Sequence, residues 1–156
     1  MKSFLLKNKQ PTIKFSMLPD ETYFEGNIPE GYGLAICPNA PYIILDVDRH
    51  GEIDGFKNLP IYLCKELYSS LNYPTKNNGQ HFWLKYTGDK TLLNKASKLG
   101  IDLRVGSKPG NAGGYVKWYL DKDIRSYIDK INTTSESLNQ WLESLFQGIK
   151  QLNNGN

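Results

Sequence analysis

Cysteine is scarce in this chain of 156 residues, which contains only Cys37 and Cys64. The two lie far apart and form no Cys-x-x-Cys pair, so the sequence predicts neither a zinc ribbon nor a disulfide framework. Long apolar runs are lacking too. The apolar stretch at the start of the chain meets a lysine again at Lys7, which is too soon for a signal peptide or a membrane span. We therefore expect a cytoplasmic protein with no membrane contact.

A strong charge of one sign is also missing, since the formal net charge is only +3. The basic residues are spread along the chain and form no basic tail, so the composition allows contact with a polyanion without requiring it. The hydrophobic fraction is 39% and the charged fraction 22%, which is ordinary for a folded protein. At this length we expect a single domain over residues 1–156.

The most informative stretch is a β-favouring run at 42–45 that leads into Asp46, Val47 and Asp48. Side chains alternate between the two faces of a strand, so the two aspartates should point the same way. Two neighbouring carboxylates repel each other unless a cation lies between them. Oxygen ligands favour hard ions such as Mg²⁺ or Mn²⁺, which also bind substrate phosphates. This stretch predicts a metal site for phosphoryl transfer.

Two other interpretations of these acids remain open. The segment from Asp46 to Asp54 resembles an EF-hand loop, but Lys57 stands where that loop needs its last carboxylate, and a β-like run precedes it instead of a helix. Alternatively the strand simply ends there, and the acids are solvated turn residues with Gly51 and Gly55 shaping the turn. Residues elsewhere in the chain have to decide between these interpretations.

Hydrophobic periodicity and turn residues predict alternating strands and helices. We expect a loop-rich region over 1–40 with short strands at 12–15 and 33–36, a helix that follows Pro60 and is closed by Tyr73 and Pro74, and a strand at 81–86. A second helix at 90–99, a strand at 101–105, a loop at 106–114 and a strand at 115–120 should follow. A capping-box pattern at Thr133 predicts a C-terminal amphipathic helix over about 134–151.

Polar residues recur on the predicted strands. His81 and Lys85 share one face of the strand at 81–86, and Asp102 and Arg104 share one face of the strand at 101–105. Three carboxylates, from Asp102 and the pair around Val47, could hold two metal ions for nucleotidyl transfer. Arg104 and Lys85 are candidates to neutralise phosphate charge.

The order and context of these sites resemble the archaeo-eukaryotic primase superfamily, specifically the bifunctional DNA primase/polymerase (prim-pol) N-terminal domain of plasmids and phages. The resemblance covers about residues 29–120. Its motifs are Ile-Leu-Asp-Val-Asp-Arg-His at 44–50 and Tyr-Pro-Thr-Lys-Asn-Asn-Gly-Gln-His-Phe-Trp at 73–83. Gly-Ile-Asp-Leu-Arg at 100–104 and Gly-Gly-Tyr-Val at 113–116 complete them.

The resemblance implies an α/β (α+β) fold in which an RRM-like, mostly antiparallel sheet carries the site on one face and helices on the other. It implies that Asp46, Asp48 and Asp102 bind Mg²⁺ or Mn²⁺ in a two-metal site, and that His81 binds the incoming nucleotide. Gly79 stands where the family often has serine, so only its backbone N–H could contact phosphate.

By the same resemblance, the expected activity is template-directed nucleotide addition by a primase/polymerase catalytic domain of a mobile-element replication system. Its partners would be nucleoside triphosphates, single-stranded DNA template or primer-template, and a helicase or replication protein.

Two rival functions are compatible with parts of the sequence. The first is a non-catalytic nucleic-acid-binding or replication-interaction protein on a primase-like fold, with Trp83, Tyr86, Trp118 and Tyr119 as stacking platforms. The second is a hydrolase of the HAD type, which also uses Asp-x-Asp at a strand end but leaves His81 unexplained.

Overall fold

Two larger β-sheets, a small hairpin and two α-helices form the described part of the computed structural model, residues 1–106 and 113–148. In chain order the strands are β1 (Lys2–Lys7), β2 (Gln10–Pro11), β3 (Tyr32–Cys37), β4 (Tyr42–Val47), β5 (Arg49–His50), β6 (Ile53–Asp54), β7 (Asn72–Pro74), β8 (Gln80–Lys85), β9 (Lys95–Ala96), β10 (Ile101–Arg104), β11 (Val116–Lys117) and β12 (Asn132–Thr133). The α-helices are α1 (Ile61–Ser69) and α2 (Glu136–Phe146), and short 3-10 turns cover Phe15–Met17, Gly55–Asn58, Ile124–Ser126 and Ile128–Lys130.

The main sheet has the order β12-β8-β4-β10-β9, with β7 beside the first half of β8. Its pairs are antiparallel except for the short parallel pair of β12 and β8. Alternate residues of the central strands, such as Leu45 and Phe82, are fully buried against Leu63 and Leu67 of α1 and Leu142 of α2. The expected α+β class, mostly antiparallel pairing and helices on one face are therefore confirmed.

A second sheet, with the order β11-β3-β1-β2, packs over part of the opposite face. Ile44 and Trp83 of the main sheet are buried there with Ile36 of β3 and Val116 of β11. The sequence did not predict this sheet. Within 1–40 only the strand at 33–36 is confirmed, as β3. The strand expected at 12–15 is wrong, because β2 ends at Pro11 and a 3-10 turn starts at Phe15.

The helix expected at 90–99 is wrong. The backbone of this segment forms hydrogen bonds with other parts of the chain instead: the Leu93 N–H donates to the Phe146 carbonyl, and β9 pairs with β10. Leu92 is buried, whereas Leu93 and Leu99 are 43% and 38% exposed, so the leucines do not form one buried stripe. Non-local strand pairing has replaced local helical hydrogen bonds in this segment.

The helix after Pro60 is confirmed as α1. Ile61 at its start is 90% exposed, while Leu63 and Leu67 are buried against the main sheet. The strand at 81–86 is confirmed as β8 and that at 101–105 as β10. The strand at 115–120 is reduced to the two residues of β11.

The C-terminal amphipathic helix is confirmed as α2, which begins at Glu136 and ends at Phe146, before the described Gln147 and Gly148. Its N-cap is Ser135, whose hydroxyl accepts from the Leu138 N–H, instead of the Thr133 of the capping-box pattern. The part of the expected helix beyond residue 148 and residues 107–112 of the expected loop lie outside the described residues. Across the described ranges, no helix combines the length and apolar character that a membrane crossing needs.

Candidate metal centre

The site is built on one row of directly opposed residues across four strands. Tyr73 of β7 pairs with His81 of β8, His81 pairs with Asp46 of β4, and Asp46 pairs with Asp102 of β10. Residues opposed in this way lie on the same face of a sheet with their Cβ atoms about 5 Å apart. The strand register therefore brings together His81 and two of the three predicted carboxylates, on the face away from the helices.

Asp48 joins this row from just beyond the end of β4. Its backbone N–H donates to the Gly100 carbonyl over 2.9 Å, and its carbonyl accepts from the Gly55 N–H over 2.8 Å. These bonds hold the chain extended past Val47, so the Asp48 side chain keeps the alternation of the strand. One carboxylate oxygen each from Asp46, Asp48 and Asp102 then lies within 4.8 Å of the others, as the sequence predicts.

The electrostatics of this cluster are unfavourable without a counter-ion. Burial raises the pKa of Asp48, and the neighbouring Asp46 charge raises it further. Burial also raises the pKa of Asp102, although the Arg104 guanidinium, with Nη2 at 3.6 Å from Asp102 Oδ2, opposes the shift. Three acids are thus held close together and partly out of water, and the ionised forms of Asp48 and Asp102 are disfavoured there.

A metal ion fits this donor set. Asp46 Oδ1 is buried and has no hydrogen-bond partner in the described part of the chain. An orphaned buried carboxylate oxygen is costly unless something binds it. Three carboxylates supply the hard oxygen ligands that Mg²⁺ and Mn²⁺ take. The EF-hand interpretation fits less well, since Asp54 instead accepts from the Phe56 N–H and pairs with Arg49.

His81 lies beside the carboxylates and is only 5% exposed. Its Nε2 is 3.4 Å from Asp46 Oδ1. This contact is electrostatic and not a formed hydrogen bond, because Asp46 Oδ1 has no hydrogen-bond partner. On its other side, His81 Nδ1 is 3.2 Å from the Tyr73 hydroxyl. The oxygen of that hydroxyl accepts from Trp83 Nε1 over 3.0 Å. The sequence predicted His81 as a site residue, whereas it assigned Tyr73 no role in the site.

Gly79 closes a tight turn against the acids. The Thr75 N–H donates to the Gly79 carbonyl over 2.9 Å, and Asn78 adopts a positive φ of 62°. A Cβ at position 79 would lie 2.6 Å from Asp48 Oδ1 and 2.7 Å from the Val47 carbonyl oxygen, so serine could not stand here without movement. The Gly79 N–H donates to Thr75 Oγ1 over 3.1 Å, so the phosphate contact expected of it would require this bond to break.

A cavity of about 220 Å³ opens beside the carboxylates. Its lining combines acids, bases and aromatic rings: Asp46, Asp48, Thr75, Asn77, His81, Arg104, Tyr115, Val116, Lys117 and Tyr119. Arg104 is therefore placed in the site as predicted. Lys117 was not predicted as a site residue, although strand alternation puts it on one face with Tyr115 and Tyr119.

Lys117 has room at the cavity because of a glycine on the neighbouring strand. A Cβ on Gly33 would come within 3.1 Å of Lys117 Cε. The Lys117 ammonium then lies over the Tyr119 ring, 5.5 Å from its centroid. Such a cation–π contact stabilises the charge without neutralising it. The cavity thus has cationic residues facing an acidic cluster.

Lys85, the other predicted phosphate contact, lies elsewhere. It is at the far end of β8, about 13 Å from His81 at the rise of an extended strand. It pairs across the sheet with Tyr42, and its ammonium is 5.9 Å from the centroid of that ring. The structure does not bring Lys85 to the cavity, because four strand residues carry it too far along the same face.

Comparison of the chain with protein-family models and with curated proteins found no match. Its class is therefore defined by the fold and the site alone. It is an α+β protein with mostly antiparallel sheets, in which three carboxylates, from β4, the residue just after it and β10, could bind a metal ion.

Proposed function

We propose that this protein is a metal-dependent nucleotidyltransferase, the catalytic domain of a DNA primase/polymerase from a mobile-element replication system. The observation that supports this most directly is the convergence of Asp46, Asp48 and Asp102 within 4.8 Å, beside a buried histidine. The substrates would be nucleoside triphosphates and a single-stranded DNA template or primer-template. A helicase or replication protein would supply recruitment.

In this function the three carboxylates would hold Mg²⁺ or Mn²⁺, which supplies activation of a primer hydroxyl and neutralisation of phosphate charge when bound. The chain itself would bind and orient the polyphosphate. Arg104 offers a planar set of donors suited to phosphate oxygens, and Lys117 offers a compact charge. Both line the same cavity as Asp46 and Asp48. One ligand could therefore contact the acidic residues through a bound metal ion and the basic residues directly.

The charge arrangement of the cavity argues for a polyanionic substrate over a simple metal-binding role. A structural cation site would need only the acids. Here the cavity also holds Arg104 and Lys117, whose positive charges would repel a bare cation. A ligand that carries its own negative charge together with bound cations satisfies both sets of residues. Metal-bound nucleoside triphosphate has this character.

The rival non-catalytic function loses much of its support in this fold. Trp83 and Trp118 are 0% and 6% exposed and pack edge-to-face with ring centroids 5.9 Å apart, so they are core residues and cannot stack on bases. Tyr86 donates to Glu143 of α2. Only Tyr119 of the four expected platforms lines the cavity.

Primer extension tests the proposal. Wild-type protein is assayed with Mg²⁺ or Mn²⁺ on a primed single-stranded template and, in parallel, on an unprimed one. We expect extension on the primed template and its loss in Asp46→Asn and in Asp48→Asn. Asp89→Asn serves as the matched control, because the Asp89 side chain is 88% exposed and outside the cavity. Extension by the Asp46→Asn, Asp48→Asn double variant would disprove the proposed function.

A further inference from the structure

A chain of buried polar groups lies behind His81. The Trp83 indole N–H donates to the Tyr73 hydroxyl over 3.0 Å, and that hydroxyl is 3.2 Å from His81 Nδ1. The three side chains are 0%, 2% and 5% exposed in the order Trp83, Tyr73 and His81. Groups this well buried must satisfy their hydrogen bonds with one another.

The hydrogens in this chain can be assigned by counting donors. An indole nitrogen can only donate, so the Tyr73 oxygen must act as acceptor toward Trp83. The hydroxyl then has one hydrogen of its own left, and His81 Nδ1 is its remaining partner among the contacts of the described residues. Burial raises the pKa of Tyr73 above its ordinary value, so this hydrogen stays on the hydroxyl.

The reverse assignment leaves a group unsatisfied. If His81 Nδ1 carried the hydrogen, Tyr73 would accept twice, and its own buried hydrogen would have no acceptor among those contacts. A buried donor left without an acceptor costs more free energy than a hydrogen bond from His81 Nδ1 to Tyr73 would contribute.

We infer that Tyr73 is a positioning residue that fixes His81 as the tautomer protonated on Nε2, so that the ring presents a donor N–H to the carboxylate cavity. In this tautomer Nε2 has no lone pair, and His81 does not ligate metal. Its task is to donate to an anionic oxygen of the ligand.

The geometry at the cavity suits such a ligand. His81 Nε2 and Asp46 Oδ1 are 3.4 Å apart, and the oxygen has no hydrogen-bond partner in the described chain. In the inferred tautomer the Nε2 hydrogen points into the cavity beside this carboxylate oxygen. Together they match a phosphate oxygen that reaches the protein with its own cation. The identity of that ligand rests on the proposed function, whereas the tautomer of His81 does not.

Nitrogen-15 NMR of the imidazole rings tests the tautomer directly, without any ligand or metal. The chain has two histidines, and the second, His50, has a side chain 69% exposed with Nε2 at 3.6 Å from Asp48 Oδ2, so only two imidazole rings have to be assigned in the spectrum. For neutral His81 we expect protonated Nε2, a hydrogen-bonded Nδ1 and a protected Tyr73 hydroxyl proton that couples to it. A neutral ring protonated on Nδ1, or a mixture of the two neutral tautomers, would overturn the inference.

Tyr73→Phe then tests the positioning role. We expect the hydroxyl signal to vanish and the His81 Nδ1 resonance to move to that of a nitrogen without a donor partner. Tyr127→Phe is the matched control, since its hydroxyl bonds Asp121 at the surface and its loss should leave His81 unchanged. An unchanged His81 spectrum in Tyr73→Phe refutes the role, and if that variant does not fold, the wild-type spectrum still decides the tautomer.

Binding of a nucleoside triphosphate with Mn²⁺ separates this inference from the proposed function. Tyr73→Phe should bind it roughly three- to tenfold more weakly, as expected for the loss of one buried hydrogen bond. Wild type that shows the expected tautomer but binds no nucleotide disproves the proposed function alone. Equal binding by wild type and Tyr73→Phe overturns the positioning role alone.

Discussion

Replacement of Asp48 by asparagine should stabilise the metal-free protein and abolish its stabilisation by Mn²⁺. The variant keeps the size of the side chain but removes one of three negative charges whose oxygens lie within 4.8 Å. Relief of this repulsion raises the free energy of unfolding. The same change removes a metal ligand, so the two effects have opposite signs and can be measured separately.

The size of the first effect follows from the separation. Two unit charges 4.8 Å apart, the upper limit of the separation in this cluster, repel by about 3.5 kcal/mol at an effective dielectric constant of 20 and by about 0.9 kcal/mol in bulk water. The Asp48 side chain is 25% exposed, so solvent screens much of this energy. We expect a net gain of about 1–2 kcal/mol, which corresponds to a rise in Tm of about 3–6 °C for a chain of this length.

The gain should depend on pH in a definite direction. The pKa values of Asp48 and Asp102 are raised above the ordinary value of 3.8, so the folded protein binds more protons than the unfolded chain just above that value. Stability from these groups therefore falls as pH rises through this window, and the penalty remains at neutral pH. The advantage of Asp48→Asn over wild type should be largest at neutral pH and should shrink as the solution is acidified below the raised pKa values.

Thermal and urea unfolding of both proteins, with and without Mn²⁺, measures each effect. Saturating Mn²⁺ should stabilise wild type by about 2.7 kcal/mol at a concentration one hundred times its Kd, and should leave Asp48→Asn nearly unchanged. Asp89→Asn, at an exposed position, should match wild type in both conditions. Metal-free Asp48→Asn that is less stable than wild type at neutral pH would refute the electrostatic argument.

Three further predictions concern the cavity. Gly79→Ser should destabilise the protein by about 1–3 kcal/mol, because its Cβ would meet Asp48 Oδ1 at 2.6 Å. A free energy of unfolding equal to that of wild type would contradict this. Lys117→Ala should weaken nucleotide binding severalfold while Lys85→Ala should not, because of the two only Lys117 lines the cavity. Calorimetric titration that shows the reverse order would instead support Lys85 as the phosphate contact. His81→Ala should weaken nucleotide binding by about 1.5–3 kcal/mol without altering DNA binding, and an unchanged Kd for the nucleotide would make His81 structural.

The sequence was sufficient for those parts of the site that depend on alternation within one strand. Val47 lies between two aspartates, and Phe82 and Leu84 lie one and three residues after His81. This period-two pattern places the aspartates, and likewise His81, on the face opposite to these apolar residues. β4 and β8 were located from this pattern, and the structure confirms their buried face against the helices. Asp102 followed from the same logic on β10.

What the sequence could not supply was the pairing between segments that lie far apart in the chain. Tyr73 gained its place beside His81 only through the register of β7 against β8. Lys117 reached the cavity because β11 pairs with β3 in the second sheet, and this sheet was missed. Its first strand begins with Lys2 and Ser3, which are polar yet buried, so β1 shows no apolar alternation at its start.

The site depends on the strand register, because its residues form a single row from Tyr73 through His81 and Asp46 to Asp102. A slip of one residue between β10 and β4 would put Ile101 or Leu103 opposite Asp46 in place of Asp102 and send the Asp102 carboxylate to the opposite face. A molecule with correct strands in the wrong alignment would look folded by circular dichroism and yet bind no metal. Metal affinity therefore reports whether the strands have paired in the correct register. Secondary-structure content does not report this.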